Sequence, residues 1–300
     1  MPLTRAEWGD ALAPGIREWF SIGYASRPTL FGELFNTLSS ESASEYFHSF
    51  GAVSPDAWDD VANLGQIAKV GFDNGYKTTF THTKKAVQID IERDLVDDNK
   101  YPQIIDMVRQ LGDSAALKRE RDAAAVFNNC SVATVLGGDG VPLTDASHPA
   151  GPNKTASTQS NEGTTALSAA AVAAVRLLMM AYTDDVGEIC GTIPDLLLVN
   201  PTLEDTAKVI CQTPTKPGSA DSDINPRQGL RYLVWPYLTS TTWWALIDST
   251  KMKQSLIWFD RKPLDIHRVV QDETMFCSWL AWMRYSCGWR DWRWIYRGNA

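Results

Sequence analysis

From Tyr76 to Cys130 the chain passes from an alternating strand into one long helical stripe, and this pairing constrains the fold more than any motif does. Val87, Ile89 and Ile91 fall on one face of a period-two strand, with Gln88, Asp90 and Glu92 on the other. That alternation predicts a strand with one side against protein. Pro102 suits a first helical turn, after which Ile104, Val108, Leu111, Ala115, Asp122 and Val126 trace a stripe that is apolar except at Asp122. No proline interrupts it before Cys130, so the helix would be about 40 Å long at 1.5 Å per residue. The segment before the strand, 72–83, is rich in strand formers and carries little apolar surface for its own domain. It is expected to project and pack on a neighbour.

Three hundred residues suit one large domain or two ordinary ones, with ample chain for a core. The formal net charge is -8 at pH 7, which disfavours a protein that grips phosphates over a broad basic face. Five cysteines (Cys130, Cys190, Cys211, Cys277 and Cys287) form no CxxC and have no histidine at ligand spacing. They read as reduced structural thiols, and neither a metal nor a cofactor is expected. Residues 1–17 lack the apolar core of a secretory signal, and no run reaches the roughly 20 apolar residues of a membrane span. The expectation is a chain made in cytosol that has no membrane partner.

Around the beam, residues 1–62 hold apolar clusters broken by Pro14, Pro28 and Pro55, too dispersed for a core of their own. They read as an arm. Turn-rich connectors follow the beam at 137–140 and 153–165. An alanine-rich helix over 167–180 is capped by Ser168, and Val172, Val175, Leu178 and Met179 are expected on its buried face. Residues 195–199 read as a short buried strand, Pro201 opens another helix, and 216–225 is a mobile loop by composition. Strands follow over 230–236 and 242–248, and sheet continues through 256–259, 264–270 and 275–287.

Catalytic signals are weak. Asp145, Ser147 and His148 lie together, which gives a hydrolase reading on Ser147 and His148, but there is no GxSxG elbow and Asp-Ala-Ser-His-Pro is ordinary turn composition. Nine of the twelve tryptophans lie at or after Trp235, interleaved near the end with Arg284, Arg290, Arg293 and Arg297. Base stacking on a basic face is one reading. Packing is the better one: Cys277, Trp279, Ala281, Met283 and Tyr285 share one strand face and Phe276, Leu280 and Trp282 the other. Both faces are expected to be buried, between the long helix and a neighbouring subunit.

A loose arm, a projecting ribbon, a long helix, a compact α/β domain and a returning sheet form the element order of the tailed-phage major capsid fold named for phage HK97. The chain resembles that family, in its Mu-like major head subunit flavour. Residues 87–99 (VQIDIERDLVDDN) with Tyr101-Pro102 resemble the passage from extended loop to spine helix. Gly138-Asp139-Gly140 with 144–149 (TDASHP), residues 195–210 (DLLLVNPTLEDTAKVI), and 259–263 with 284–289 resemble later parts of the same fold. The resemblance implies an α+β chain divided into an arm (1–62), an extended β-hairpin loop (63–100), a spine helix and connector (101–165), an axial domain (166–248) and a peripheral return sheet (249–300).

It also implies a function: a structural, non-enzymatic subunit that forms hexamers and pentamers of an icosahedral virion capsid. The shell would assemble in the host cytoplasm around double-stranded DNA contacted non-specifically. Tyr76, Phe80, His82, Lys84 and Lys85 are expected to contact neighbouring subunits through the loop. Trp279, Trp282, Tyr285, Trp289 and Trp292 are expected to pack the peripheral domain. The arm starts within about twenty residues of Met1, so a separate scaffolding protein and a portal are the implied partners. The lysine–asparagine cross-link of one relative is not expected, because Asn299 is the only asparagine after Asp248. The alternatives are an encapsulin shell and, from another class, a cytosolic hydrolase.

Overall fold

A computed structural model describes residues 7–50, 74–92, 101–149, 158–216, 223–269 and 276–300, with Trp58, Lys69, Asp98 and Gly151. The expected beam is helix α3 (Tyr101–Asn128), 28 residues long, and Ile104, Val108, Leu111, Ala115 and Val126 are buried along it. The one polar member of the stripe, Asp122, accepts hydrogen bonds from Lys118 Nζ at 2.6 Å and from Tyr285 Oη at 2.7 Å. Its carboxylate is thereby satisfied where an unpaired charge would be costly.

Residues expected to form a dispersed arm instead begin with a continuous helix, α1 (Glu7–Ser26), that lies on the chain's own beam. Ile16 and Phe20 fall four residues apart and pack with Ile104, Val108 and Leu111. Glycine sets the closeness of this approach. A Cβ on Gly23 would stand 2.2 Å from the Arg109 carbonyl oxygen, and one on Gly112 would stand 2.3 Å from that of Phe20. The short helix α2 (Phe31–Leu34) then inserts Leu34, with Phe35 behind it, into the main core. This part of the arm finds its core within the subunit, because the Ile16–Phe20–Gly23 spacing is that of a helix seam.

Two sheets flank the beam. The first has the order β1–β9–β10–β4: β1 (Asn36–Ser39) runs parallel to β9 (Leu256–Val269), which pairs antiparallel with β10 (Phe276–Trp289), and β4 (Thr83–Glu92) closes the edge. Trp279, Ala281, Met283 and Tyr285 of β10 are buried on one face as expected, while Leu280 and Trp282 on the other are only half-buried. The subunit covers one face of this sheet more fully than the other.

The second sheet has the order β5–β11–β8–β6–β7, from β5 (Glu162–Gly163), β11 (Ile295–Asn299), β8 (Trp243–Ile247), β6 (Leu196–Val199) and β7 (Arg231–Val234). Every residue of β6 and β8 is buried, which is why both read as unbroken apolar runs rather than alternating ones. Helix α4 (Ala169–Met180) packs here, its Ser168 cap accepting from Ala171 N–H, and Asn200 caps the turn that leads into helix α5 (Glu204–Gln212). Leu178 corrects the expected face of α4: it is exposed, and Ala171 takes its place beside Val172, Val175 and Met179. Helix α6 (Ser249–Ser255), capped by Asp248, leads back to β9.

A separate two-stranded ribbon pairs β2 (Ser44–Phe50) with β3 (Asn74–Thr81). Half of it therefore comes from the stretch read as arm, not from 63–100, and β4 belongs to the first sheet. Residues 51–57, 59–68 and 70–73, where the far end of the expected loop falls, lie outside the described residues, as do 93–97 and most of the 216–225 loop.

Candidate functional site

Contacts that fix the ribbon and the beam relative to the two sheets form the site. At the ribbon's root, Phe47 and Phe80 pack on Phe259 with ring centroids 5.9 and 5.4 Å away, beside Ile257. Tyr76, Thr78 and Phe80 share the inward face of β3, and the Gly137–Gly140 turn comes so close that a Cβ on Gly138 would meet Thr78 Oγ1 at 2.5 Å. Arg290 lies over the Phe47 ring at 4.3 Å and borders a cavity of about 210 Å³ beneath the ribbon.

His82 is the single residue between β3 and β4, and it is buried. Its Nε2 is 3.0 Å from Ser40 Oγ and its Nδ1 is 2.9 Å from Ser286 Oγ. Ser40 Oγ donates to Glu45 Oε1 at 2.6 Å and accepts from Ser42 N–H. Nε2 therefore carries the proton that Ser40 accepts, and Nδ1 accepts from Ser286, so a neutral ring satisfies the whole chain. Burial, then the nearby Arg284, push the His82 pKa below its ordinary value, while Glu45 opposes them.

On the beam, Arg119 and Glu120 point to different parts of the molecule. Arg119 pairs with Asp260 on β9 at 2.7 Å, donates to Tyr24 Oη and lies against the Phe31 and Trp258 rings. Glu120 is buried and accepts from the backbone N–H groups of Leu30 and Phe31 and from Trp235 Nε1. One turn of helix thus joins α1, α2, the first sheet and the segment after β7. A sequence signal existed, since Arg119 falls four residues after Ala115 on the apolar stripe, but nothing in the sequence named its partners.

Two of the residues expected at inter-subunit contacts are corrected here: Phe80 and His82 are enclosed by their own chain, Phe80 because the even-numbered face of β3 looks inward and His82 because it is held between Ser40 and Ser286. Tyr76 is half-buried, with its pKa raised by burial and by Asp139. Lys84 and Lys85 lie on β4 opposite Arg284 and Met283, with Lys84 over the Trp282 ring at 4.9 Å, so they sit on the first sheet rather than on the ribbon. Trp279 and Tyr285 are buried between sheet and beam, and Trp289 is buried in the main core. Trp292 stacks on His148 at 4.2 Å.

The geometry around Ser147 and His148 lends the hydrolase reading no support. Ser147 Oγ donates to Asp145, and the fully buried His148 ring points its nitrogens at Asp139 Oδ2 and Asn161 Oδ1, at 2.8 and 3.1 Å. Ser147 and His148 thus form no nucleophile–base pair. The thiols of Cys130, Cys190, Cys211 and Cys287 are free, and burial pushes Cys211 up to about 11 and Cys287 to about 12. Among the described residues no cluster is arranged to hold a metal, and no helix is long and apolar enough to cross a membrane.

Beam, two sheets and rooted ribbon together define the HK97-type shell fold. A chain in the procapsid of bacteriophage JBD30 shares it with a TM-score of 0.57 at 14% identity, over 99% of this chain and 76% of that one. A chain of Microbacterium phage Oxtober96 does so at 0.58 and 11%, over 91% of both. The virus-like particle from Pyrococcus furiosus gives 0.54 and 10%, over 95% and 98%. Among curated proteins none matches. The family model described as phage capsid protein matches residues 75–298, well over half the chain, and the chain belongs to that family as a structural subunit of a viral capsid.

Proposed function

We propose that this subunit forms hexamers and pentamers that close an icosahedral shell around double-stranded DNA, with assembly in the host cytoplasm, guided by a scaffolding protein and a portal. The supporting observation is the ribbon. One strand joins the first sheet at His82 and the other through residues 40–43, and both are held by a small aromatic root, while the sheet beside them keeps one face half-covered. A subunit of this shape completes itself by contact with copies, and closed symmetry repeats each modest contact many times. Its role is mechanical rather than enzymatic. A net charge of -8 suits a lining that holds DNA without gripping it, because tight phosphate contacts would resist sliding during packing. Within the family, the 138–149 turn is our basis for placing the chain with the Mu-like head subunits.

Negative-stain microscopy of the purified chain tests this reading: closed shells or six-membered rings are expected, and a monodisperse monomer at high concentration would defeat it. The likeness to the Pyrococcus furiosus particle keeps a second reading, a shell that stores protein cargo. Nuclease-protected DNA in particles from infected cells separates the two.

A further inference from the structure

Two buried histidines hold their protons differently. The partners of His82 suit a neutral ring, whereas both nitrogens of His148 face acceptors. Asn161 Nδ2 donates to the Leu143 carbonyl at 2.8 Å and Asn161 Oδ1 accepts from the Asp145 N–H at 2.8 Å, which turns the amide oxygen toward His148 Nε2. Nε2 therefore donates. On the other side Nδ1 stands 2.8 Å from Asp139 Oδ2, and a carboxylate only accepts, so Nδ1 donates as well. The ring is an imidazolium in an ion pair whose two side chains are 0% and 8% exposed, and it stacks on the Trp292 face, which favours a cation.

Such a pair adds little stability beyond what apolar packing would give, and its best-attested use is to fix a register. Asp139 belongs to the Gly137–Gly140 turn, so the element held in register is that turn. From behind, the turn is backed by the main core: a Cβ on Gly137 would stand 2.8 Å from Trp289 Nε1. Its front meets the ribbon at Thr78, and the same Cβ test on Gly138 finds the Lys77 carbonyl at 3.4 Å. Beside this contact lies the cavity of about 210 Å³, with Ser49 and Tyr76 on the ribbon side and Gln254 and Ser255 on the body side. The Phe80 root fixes a point on the ribbon; the turn fixes its tilt about that point.

We propose that the Gly137–Gly140 turn is a stop that sets the tilt of the ribbon and is locked in place by the buried His148–Asp139 ion pair. Thr78 is two residues, or roughly 7 Å, from Phe80, so a shift of about 1 Å at the stop tilts β3 by about 8° and moves its far end by about 3 Å. His148 is a positioning residue here, acting through Asp139 and the turn. The device lies within one chain, so it is testable on the subunit whether or not shells close.

Nitroxides at Asn74→Cys, on the far end of the ribbon, and at Gln110→Cys on the beam test the stop in the full chain, by pulsed electron resonance against the labelled parent. Gly138→Ala should shift the mean separation by about 2–3 Å, and Thr78→Ala added to it should return the parent value. Asp139→Ala should broaden the separation and raise hydrogen exchange at 76–79 at least tenfold more than at 196–199. Gly138→Ala leaves the buried pair in place and keeps the stop testable should Asp139→Ala not fold. The lock is read separately by nitrogen-15 NMR in neutral solution: the His148 ring should carry protons on both nitrogens in the parent, and on Nε2 alone in Asp139→Asn, whose amide can donate to Nδ1. A parent ring with one proton would overturn the lock. An unchanged separation in Gly138→Ala, or one that Thr78→Ala does not restore, would overturn the stop. Equal rises in exchange at 76–79 and 196–199 would assign the pair to the core and overturn its link to the ribbon.

Discussion

The five-stranded sheet and the ribbon are both β-structure, but they hold together in opposite ways. In the sheet, β6 and β8 are buried on both faces, Gly298 packs against the Trp244 ring, and the indole N–H of Trp244 donates to the Thr165 carbonyl. Among the described residues the ribbon has two strands and a root of four apolar side chains. A two-stranded ribbon is at best marginal in water. The sheet therefore carries the stability of the subunit, and the ribbon carries its reach.

The largest effect should come from Trp244→Ala, which empties a site enclosed on every side. It is expected to cost about 3–5 kcal/mol and to lower the melting temperature of the whole subunit in calorimetry. An unchanged melt would break the comparison at its stable end. Next, Glu120→Ala strands three N–H donors in the core, at a cost of about 3 kcal/mol. Hydrogen exchange should then rise in 27–35 and 231–238 together; a rise in one segment alone would show that the beam does not couple them.

Phe80→Ala should leave the melt of the body nearly unchanged while exchange in β2 and β3 rises at least tenfold. Equal destabilisation of β6 and β8 would show that ribbon and sheet are one cooperative unit. The smallest effect is that of pH. Since the folded environment lowers the pKa of His82, the neutral ring is favoured in the rooted state. The stabilisation it gives is full above about pH 6.5, the unperturbed value, and is lost as pH falls through the lower, folded value. Exchange in the ribbon should rise as pH drops below 6.5, after correction for intrinsic rates, and His82→Gln should flatten that dependence.

Local periodicity made much of this legible in the sequence. The beam, the buried strands 196–199 and 243–247, the Ser168 cap and the inward face of β10 follow from spacing and composition alone. The pairings do not. Nothing local tells β3 that its partner is Ser44–Phe50, some thirty residues upstream, because register between distant strands is set by tertiary packing. The same limit hid the roles of Arg119 and Glu120, whose partners are up to 141 residues away. Phe80 and His82 were misplaced because a strand that looks too polar to pack needs only one aromatic face to be rooted.

His82 alone separates a strand of the ribbon from a strand of the body sheet. At about 3.3 Å per residue, the eight-residue β3 is a lever of roughly 26 Å, so a turn of about 10° at this joint displaces its far end by about 5 Å. If copies tile a shell as proposed, identical tiles must meet at unequal angles, and a joint one residue long would let each tile take up its own misfit without bending its plate.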